Sequence, residues 1–131
     1  MGACYDVNLK VRFNDEQGAK KALRDKISRG KEEHIGYDVE GLVAKYGYDL
    51  DNMSDLLSVF FSGWGTRLKR DYRDTDIRAA DFNACYGWED VMIETFSIIA
   101  PFMEDGSWIK IYPDSDYDHL VVKSGKAVMI H

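Results

Sequence analysis

The stretch Tyr5-Asp6-Val7-Asn8-Leu9-Lys10-Val11-Arg12-Phe13 alternates without a fault. Tyr5, Val7, Leu9, Val11 and Phe13 fall on one side, and Asp6, Asn8, Lys10 and Arg12 on the other. Successive side chains of a strand point to opposite faces, so the pattern predicts a β-strand with one buried and one wet face. A helix is expected next. Asn14 stands as N-cap, Gln17 completes a capping box, and Ala19, Ala22, Leu23 and Ile27 recur at helical spacing. With Gly30 as the C′ residue, this helix covers about residues 15–29 and carries Lys20, Lys21, Arg24 and Lys31 outward. A half-solvated strand feeding a helix points to an open α+β sheet with helices on one side.

Working outward, residues 31–50 are interrupted by Gly36, Gly41 and Gly47, and Val39, Leu42, Val43 and Tyr46 suggest a short helix capped by Asp38. A stronger helical signal follows, with Asn52 or Asp51 as cap, then Met53, Leu56, Leu57, Phe60 and Phe61, and Gly63-Trp64-Gly65 as its stop. Ile77 to Tyr86 reads as extended. Trp88 to Met103 reads as a helix with a broad apolar surface, Pro101 being tolerated in its final turn. Ser107–Tyr112, Tyr117–Lys123 and Ala127–Ile130 form three short strand-like runs, the last two separated by Ser124-Gly125, which suits a tight hairpin. The order β, α, helical middle, β, α, β-meander predicts one α+β domain over residues 1–131. Its expected skeleton is a ferredoxin-like antiparallel sheet with helices on one face, an extra helical middle and a C-terminal meander.

The 131 residues are 45% hydrophobic and 13% aromatic, which supports a packed core and argues against disorder. No run approaches the roughly 20 apolar residues that cross a bilayer, and Met1 to Lys10 lacks the pattern of a signal peptide. A cytoplasmic protein is expected. Cys4 and Cys85 are too few for a disulfide framework and read as small buried hydrophobes.

The net charge of −6 hides an asymmetry. From Lys10 to Lys31 there are eight Lys or Arg against Asp15, Glu16 and Asp25, a local balance of +5. From Tyr86 to Asp118 eight acids face Lys110 alone, a balance of −7. Such separation steers protein partners, whereas an acidic whole disfavours general nucleic-acid binding.

Ser62-Gly63-Trp64-Gly65-Thr66-Arg67 after a helix, followed by Asp81-Phe82-Asn83-Ala84 leading to Trp88, is a pattern with a parallel. Over roughly residues 56–103 it resembles small ferredoxin-like proteins of unknown function encoded on plasmids and bacteriophages. Those carry an Asn-Trp-Gly-Thr-Lys-type turn and a strand with a Phe-x-Thr-Ala-Trp-type end. Here Gly63 replaces the Asn, Cys85 to Gly87 intervene before Trp88, and no second Trp follows Thr66. The resemblance implies a mobile-element origin and, by analogy, an inhibitor of a host defence enzyme.

Motifs with chemistry are weak. Asp114-Ser115-Asp116-Tyr117-Asp118 opens like a calcium loop, but His119 and Gly125 stand where an EF-hand needs Gly and Glu. Gly63-Trp64-Gly65 follows a helix and lacks the third glycine of a phosphate loop. His34, His119 and His131 show no zinc spacing. Glu89, Asp90 and Glu94 could pair for acid–base work, but their simpler role is to meet a helix N-terminus. No catalytic residue, metal or cofactor is assigned.

These readings lead to a non-catalytic module that binds a protein partner through an acidic surface comprising Glu104, Asp105, Asp114, Asp116 and Asp118. It would act by occluding a basic, nucleic-acid-binding groove. The alternatives are a small enzyme with a site near Trp64 and Trp88, and a nucleic-acid binder. That binder would use a basic surface of Lys20, Lys21, Arg24, Lys31, Arg67, Lys69 and Arg70.

Overall fold

Strand β1 (Gly2–Lys10) is the element around which the sheet is ordered. A computed structural model describes residues 2–32, 44–45, 47–61, 77–85, 88–112 and 118–130, with backbone alone for 2–4, 30–32 and 77–85. The strand is followed by helix α1 (Glu16–Glu32), helix α2 (Met53–Phe61), strand β2 (Ile77–Cys85) and helix α3 (Trp88–Ile99). A 3-10 turn (Ala100–Phe102) then leads to β3 (Trp108–Tyr112), β4 (Asp118–Lys123) and β5 (Lys126–Ile130). The sheet order is β2-β1-β3-β4-β5, antiparallel at every pairing. Because β2 and β3 both run against β1, they are parallel to each other, and the β2-α3-β3 crossover straddles β1.

The described helices α1, α2 and α3 lie over the face that the odd-numbered β1 residues occupy. Tyr5, Val7, Leu9, Ile109, Ile111, Leu120 and Val122 are buried from the sheet side. Ala19, Leu23 and Ile27 of α1, Leu56 and Phe60 of α2, and Met92, Phe96 and Ile99 of α3 close over them. Each fully buried large apolar side chain contributes about 1.5–3 kcal/mol relative to exposure. Every residue of α2 is buried, which explains its short, dense run of Leu and Phe. Its polar members are satisfied locally: the Ser58 hydroxyl donates to the Ser54 carbonyl at 2.7 Å.

Several boundaries move for identifiable reasons. Regular pairing in β1 ends at Lys10, and Phe13 keeps one isolated bridge, to Met103. The N-cap of α1 is Asp15, in place of the expected Asn14: the Gly18 N–H donates to Asp15 Oδ1 at 3.0 Å. Asn14 instead donates through Nδ2 to the Met103 carbonyl at 3.3 Å, and its own N–H donates to the Phe102 carbonyl at 2.9 Å. A tertiary partner has taken the side chain that a local rule had reserved. Helix α3 stops at Ile99 and tightens into the 3-10 turn that accommodates Pro101, short of the expected end at Met103.

Other expectations hold in detail. Asn52 caps α2, accepting from the Asp55 N–H at 3.1 Å, and Asp55 Oδ2 accepts from the Asp49 N–H at 2.8 Å. The β4–β5 hairpin turns on Ser124 and Gly125, with φ of 52° and 75°, the left-handed pair that a two-residue loop demands. Of the short helix expected after Asp38, residues 44–45 are described and are helical; its remainder, the Trp64 turn and the Asp114–Tyr117 segment lie outside the described residues.

Candidate functional site: the open face of the sheet

Cross-strand register decides which side chains share the face opposite the helices, because paired residues project to the same side. One row runs Lys10, Trp108, Val121, Val128 across β1, β3, β4 and β5. The next runs Asn8, Lys110, His119, Ile130. Asp6 pairs with Tyr112 beyond these rows, and Lys123 with Lys126 beside the hairpin. The three large hydrophobic residues exposed among the described residues, Tyr112, Val128 and Ile130 at 37–38%, all belong to this face.

The side chains here are organised. Trp108 and His119 meet edge to face, with centroids 6.3 Å apart and planes at 84°. Lys110 Nζ sits 5.4 Å from the centre of the Trp108 ring, within cation–π range. The His119 pKa is lowered, first by its partial burial and then by the charge of Lys110. The shift favours the neutral imidazole, which presents an aromatic ring to the face. Among the described residues none forms an ion pair with Lys10, Lys110, Lys123 or Lys126. Asp6 is the face's acid within the four strands β1, β3, β4 and β5, so a chain of net charge −6 here carries a local excess of positive charge.

At one margin the end of β1 is pinned to the turn before β3. The Arg12 N–H donates to Ser107 Oγ at 3.1 Å, and the Glu104 N–H donates to the Arg12 carbonyl at 2.8 Å. A shallow depression of about 150 Å³ lies there, lined by Lys10, Arg12, Glu104, Asp105, Gly106 and Ser107.

The residues singled out from sequence are distributed differently. Glu104 and Asp105 are exposed, but Asp105 Oδ1 accepts from the Ser124 N–H at 2.9 Å and so braces the β4–β5 hairpin. Asp118 is half-buried at the start of β4, in register with Ile111. Asp114 and Asp116 lie outside the described residues. On α1, Lys21 is exposed and Lys20 half-buried, while Arg24 Nη1 is held 2.8 Å from Asp51 Oδ1. Lys26, which the outward-facing pattern did not include, is buried and reaches Glu94 on α3 at 3.1 Å. The side chain of Lys31 and the residues Arg67, Lys69 and Arg70 are likewise outside the described set. Two of the helix's cations, Arg24 and Lys26, are therefore engaged in ion pairs.

Around Trp88 the groups are also committed. Its Nε1 donates to the Phe60 carbonyl at 3.0 Å, satisfying one of the acceptors left open at the end of α2. The buried Tyr5 hydroxyl donates to Glu89 Oε2 at 2.6 Å. Burial, and then the hydrogen bond and charge of Glu89, push the phenol pKa well up, so it keeps its proton at neutral pH. The pair clamps β1 to the first turn of α3. Among the described residues no group of three or more His, Cys, Asp or Glu is placed to hold a metal ion, and no helix is long and apolar enough to cross a membrane.

Comparison of the chain with protein-family models, curated proteins and solved structures gives no match. The open face was missed from sequence because its members lie on four strands and meet only through register. The alternation of Trp108, Lys110 and Tyr112 within one run was the signal available.

Proposed function

We propose that the protein is a non-catalytic binding module whose working surface is the open face of the sheet. One observation carries this reading: Trp108, Tyr112, His119, Val128 and Ile130 share a face, over which no described helix lies, with Lys10, Lys110, Lys123 and Lys126. Antiparallel sheets often leave one face to water, and such a face is ordinarily polar. A patch that combines large apolar side chains with a polar, charged surround marks an interaction site. The straddling β2-α3-β3 crossover supports viewing the sheet as a ferredoxin-like relative extended by its meander. The test compares what the immobilised wild-type chain retains from a bacterial extract with what two variants retain. Trp108→Ala combined with Lys123→Gln should lose the retained material, while Lys21→Gln with Arg29→Gln on α1 should keep it. The opposite pattern would remove the reading.

A second reading keeps the acidic stretch as the contact of a phage- or plasmid-encoded inhibitor that blocks a basic groove on a host defence enzyme. The exposure of Glu104 at the turn before β3 favours it. Glu104→Lys should then abolish binding to such an enzyme, and undiminished affinity at low salt would dismiss it.

A further inference from the structure

Resting on the open-face reading, we infer that the occupant of this face is a single-stranded nucleic acid. Three features of the face fit that ligand together. First, Trp108, Tyr112 and His119 offer rings on adjacent strands, and aromatic rings stack on any base without regard to sequence. Second, Lys10, Lys110, Lys123 and Lys126 flank those rings on both sides, while the chain as a whole is acidic. Within β1, β3, β4 and β5 the lysines outnumber the face's acid, Asp6, four to one, so the local field attracts a polyanion. Third, the surface is broad and shallow. The row from Lys10 to Val128 crosses three inter-strand gaps, about 14 Å at ordinary sheet spacing, with no described helix over it. A duplex hides its bases in its grooves, whereas an unpaired strand can lay them on such a platform.

The Lys110–Trp108 contact has a place in this scheme. Lys110 rests over the indole; a base that stacks on Trp108 takes that position, and the ammonium turns to the neighbouring phosphate. The cation is exchanged from ring to phosphate.

The experiment uses the full chain and fluorescently labelled oligonucleotides of about ten nucleotides, as single strands and as the matching duplex, followed by anisotropy across a salt series. The expected result is binding of the single strand in preference to the duplex. Four phosphate contacts would give a slope of about −3 in log K against log salt. Trp108→Ala should weaken binding about tenfold or more at fixed salt. Lys123→Gln with Lys126→Gln, at the exposed hairpin, should flatten the salt slope by about one unit or more and leave the melting temperature unchanged. Trp108→Phe, which retains a ring, should restore most of the affinity and guards against misfolding of the alanine variant. Absence of single-strand binding by the wild type overturns the inference, as does binding that none of these variants alters. Sedimentation of the same proteins separates the two levels of the argument. If the wild type self-associates and Trp108→Ala is monomeric, the face docks a second copy: the nucleic-acid inference falls and the open-face reading stands.

Discussion

The two faces of one sheet divide this molecule's tasks. On the covered side, Tyr5, Val7, Leu9, Ile109, Ile111 and Val122 are at most 1% exposed and meet three helices. On the other side, the very next residues of the same strands, Lys10, Trp108, Lys110 and Val121, are half-buried and have no described helix over them. The comparison teaches that a period of two lets a single strand hold the fold with alternate residues and present a binding surface with the rest. Substitutions on the two faces should therefore have opposite signatures.

The largest expected effect lies on the covered face. Leu9→Ala or Ile109→Ala should cost about 2–5 kcal/mol in urea unfolding, because each leaves a cavity among fixed neighbours. Trp108→Ala, beside them on β3, should cost clearly less while removing most of the binding. Equal losses of stability on both faces would break the division.

Next in size is the seam where α1 meets the 3-10 turn. A methyl on Gly18 would fall 2.7 Å from two ring carbons of Phe102 and against the capping carboxylate of Asp15. Gly18→Ala should therefore destabilise by about 1–3 kcal/mol, although alanine is ordinarily the better helix former. A rise in melting temperature would show that Phe102 moves aside freely.

The clamp between β1 and α3 sharpens the covered side further. Tyr5→Phe should cost about 1 kcal/mol, since Glu89 loses its donor. The folded-state phenol pKa is raised above its ordinary 10.0, so its stabilising contribution is complete below pH 10.0 and is lost as pH climbs beyond it. Alkaline unfolding followed by circular dichroism should show that loss in the wild type and a weaker one in Tyr5→Phe.

The smallest effect belongs to the open face. The His119 pKa lies below its ordinary 6.5, so the unfolded chain takes up the proton first as pH falls. Its contribution to stability is complete above pH 6.5 and declines below it. His119→Gln should remove that part of the acid decline in melting temperature. An unchanged acid profile would mean that Lys110 and the partial burial do not govern this imidazole.

Much of the covered face was legible in the residues themselves. Tyr5 to Phe13 announced a half-buried strand, Ala19, Leu23 and Ile27 announced the helix that lies over it, and Ser124-Gly125 announced the hairpin. These signals are local, because backbone geometry fixes the periods of strand and helix over a few residues. Less legible were points where distant groups compete. Asn14 had the form of a cap, yet Met103 took its side chain and left the task to Asp15. Lys26 drew no assignment from its spacing, yet it is buried, and α3 brings Glu94 within 3.1 Å of it.

The sequence by itself determined an α+β chain with one apolar sheet face, its turn chemistry and its uneven charge, since each of these is written in residue type and spacing. Only the tertiary structure decided that Lys10, Trp108, Lys110, His119, Lys123 and Lys126 form one surface. Their neighbourhood is set by the register of β1, β3, β4 and β5, and register arises from pairing across strands that the linear order keeps apart.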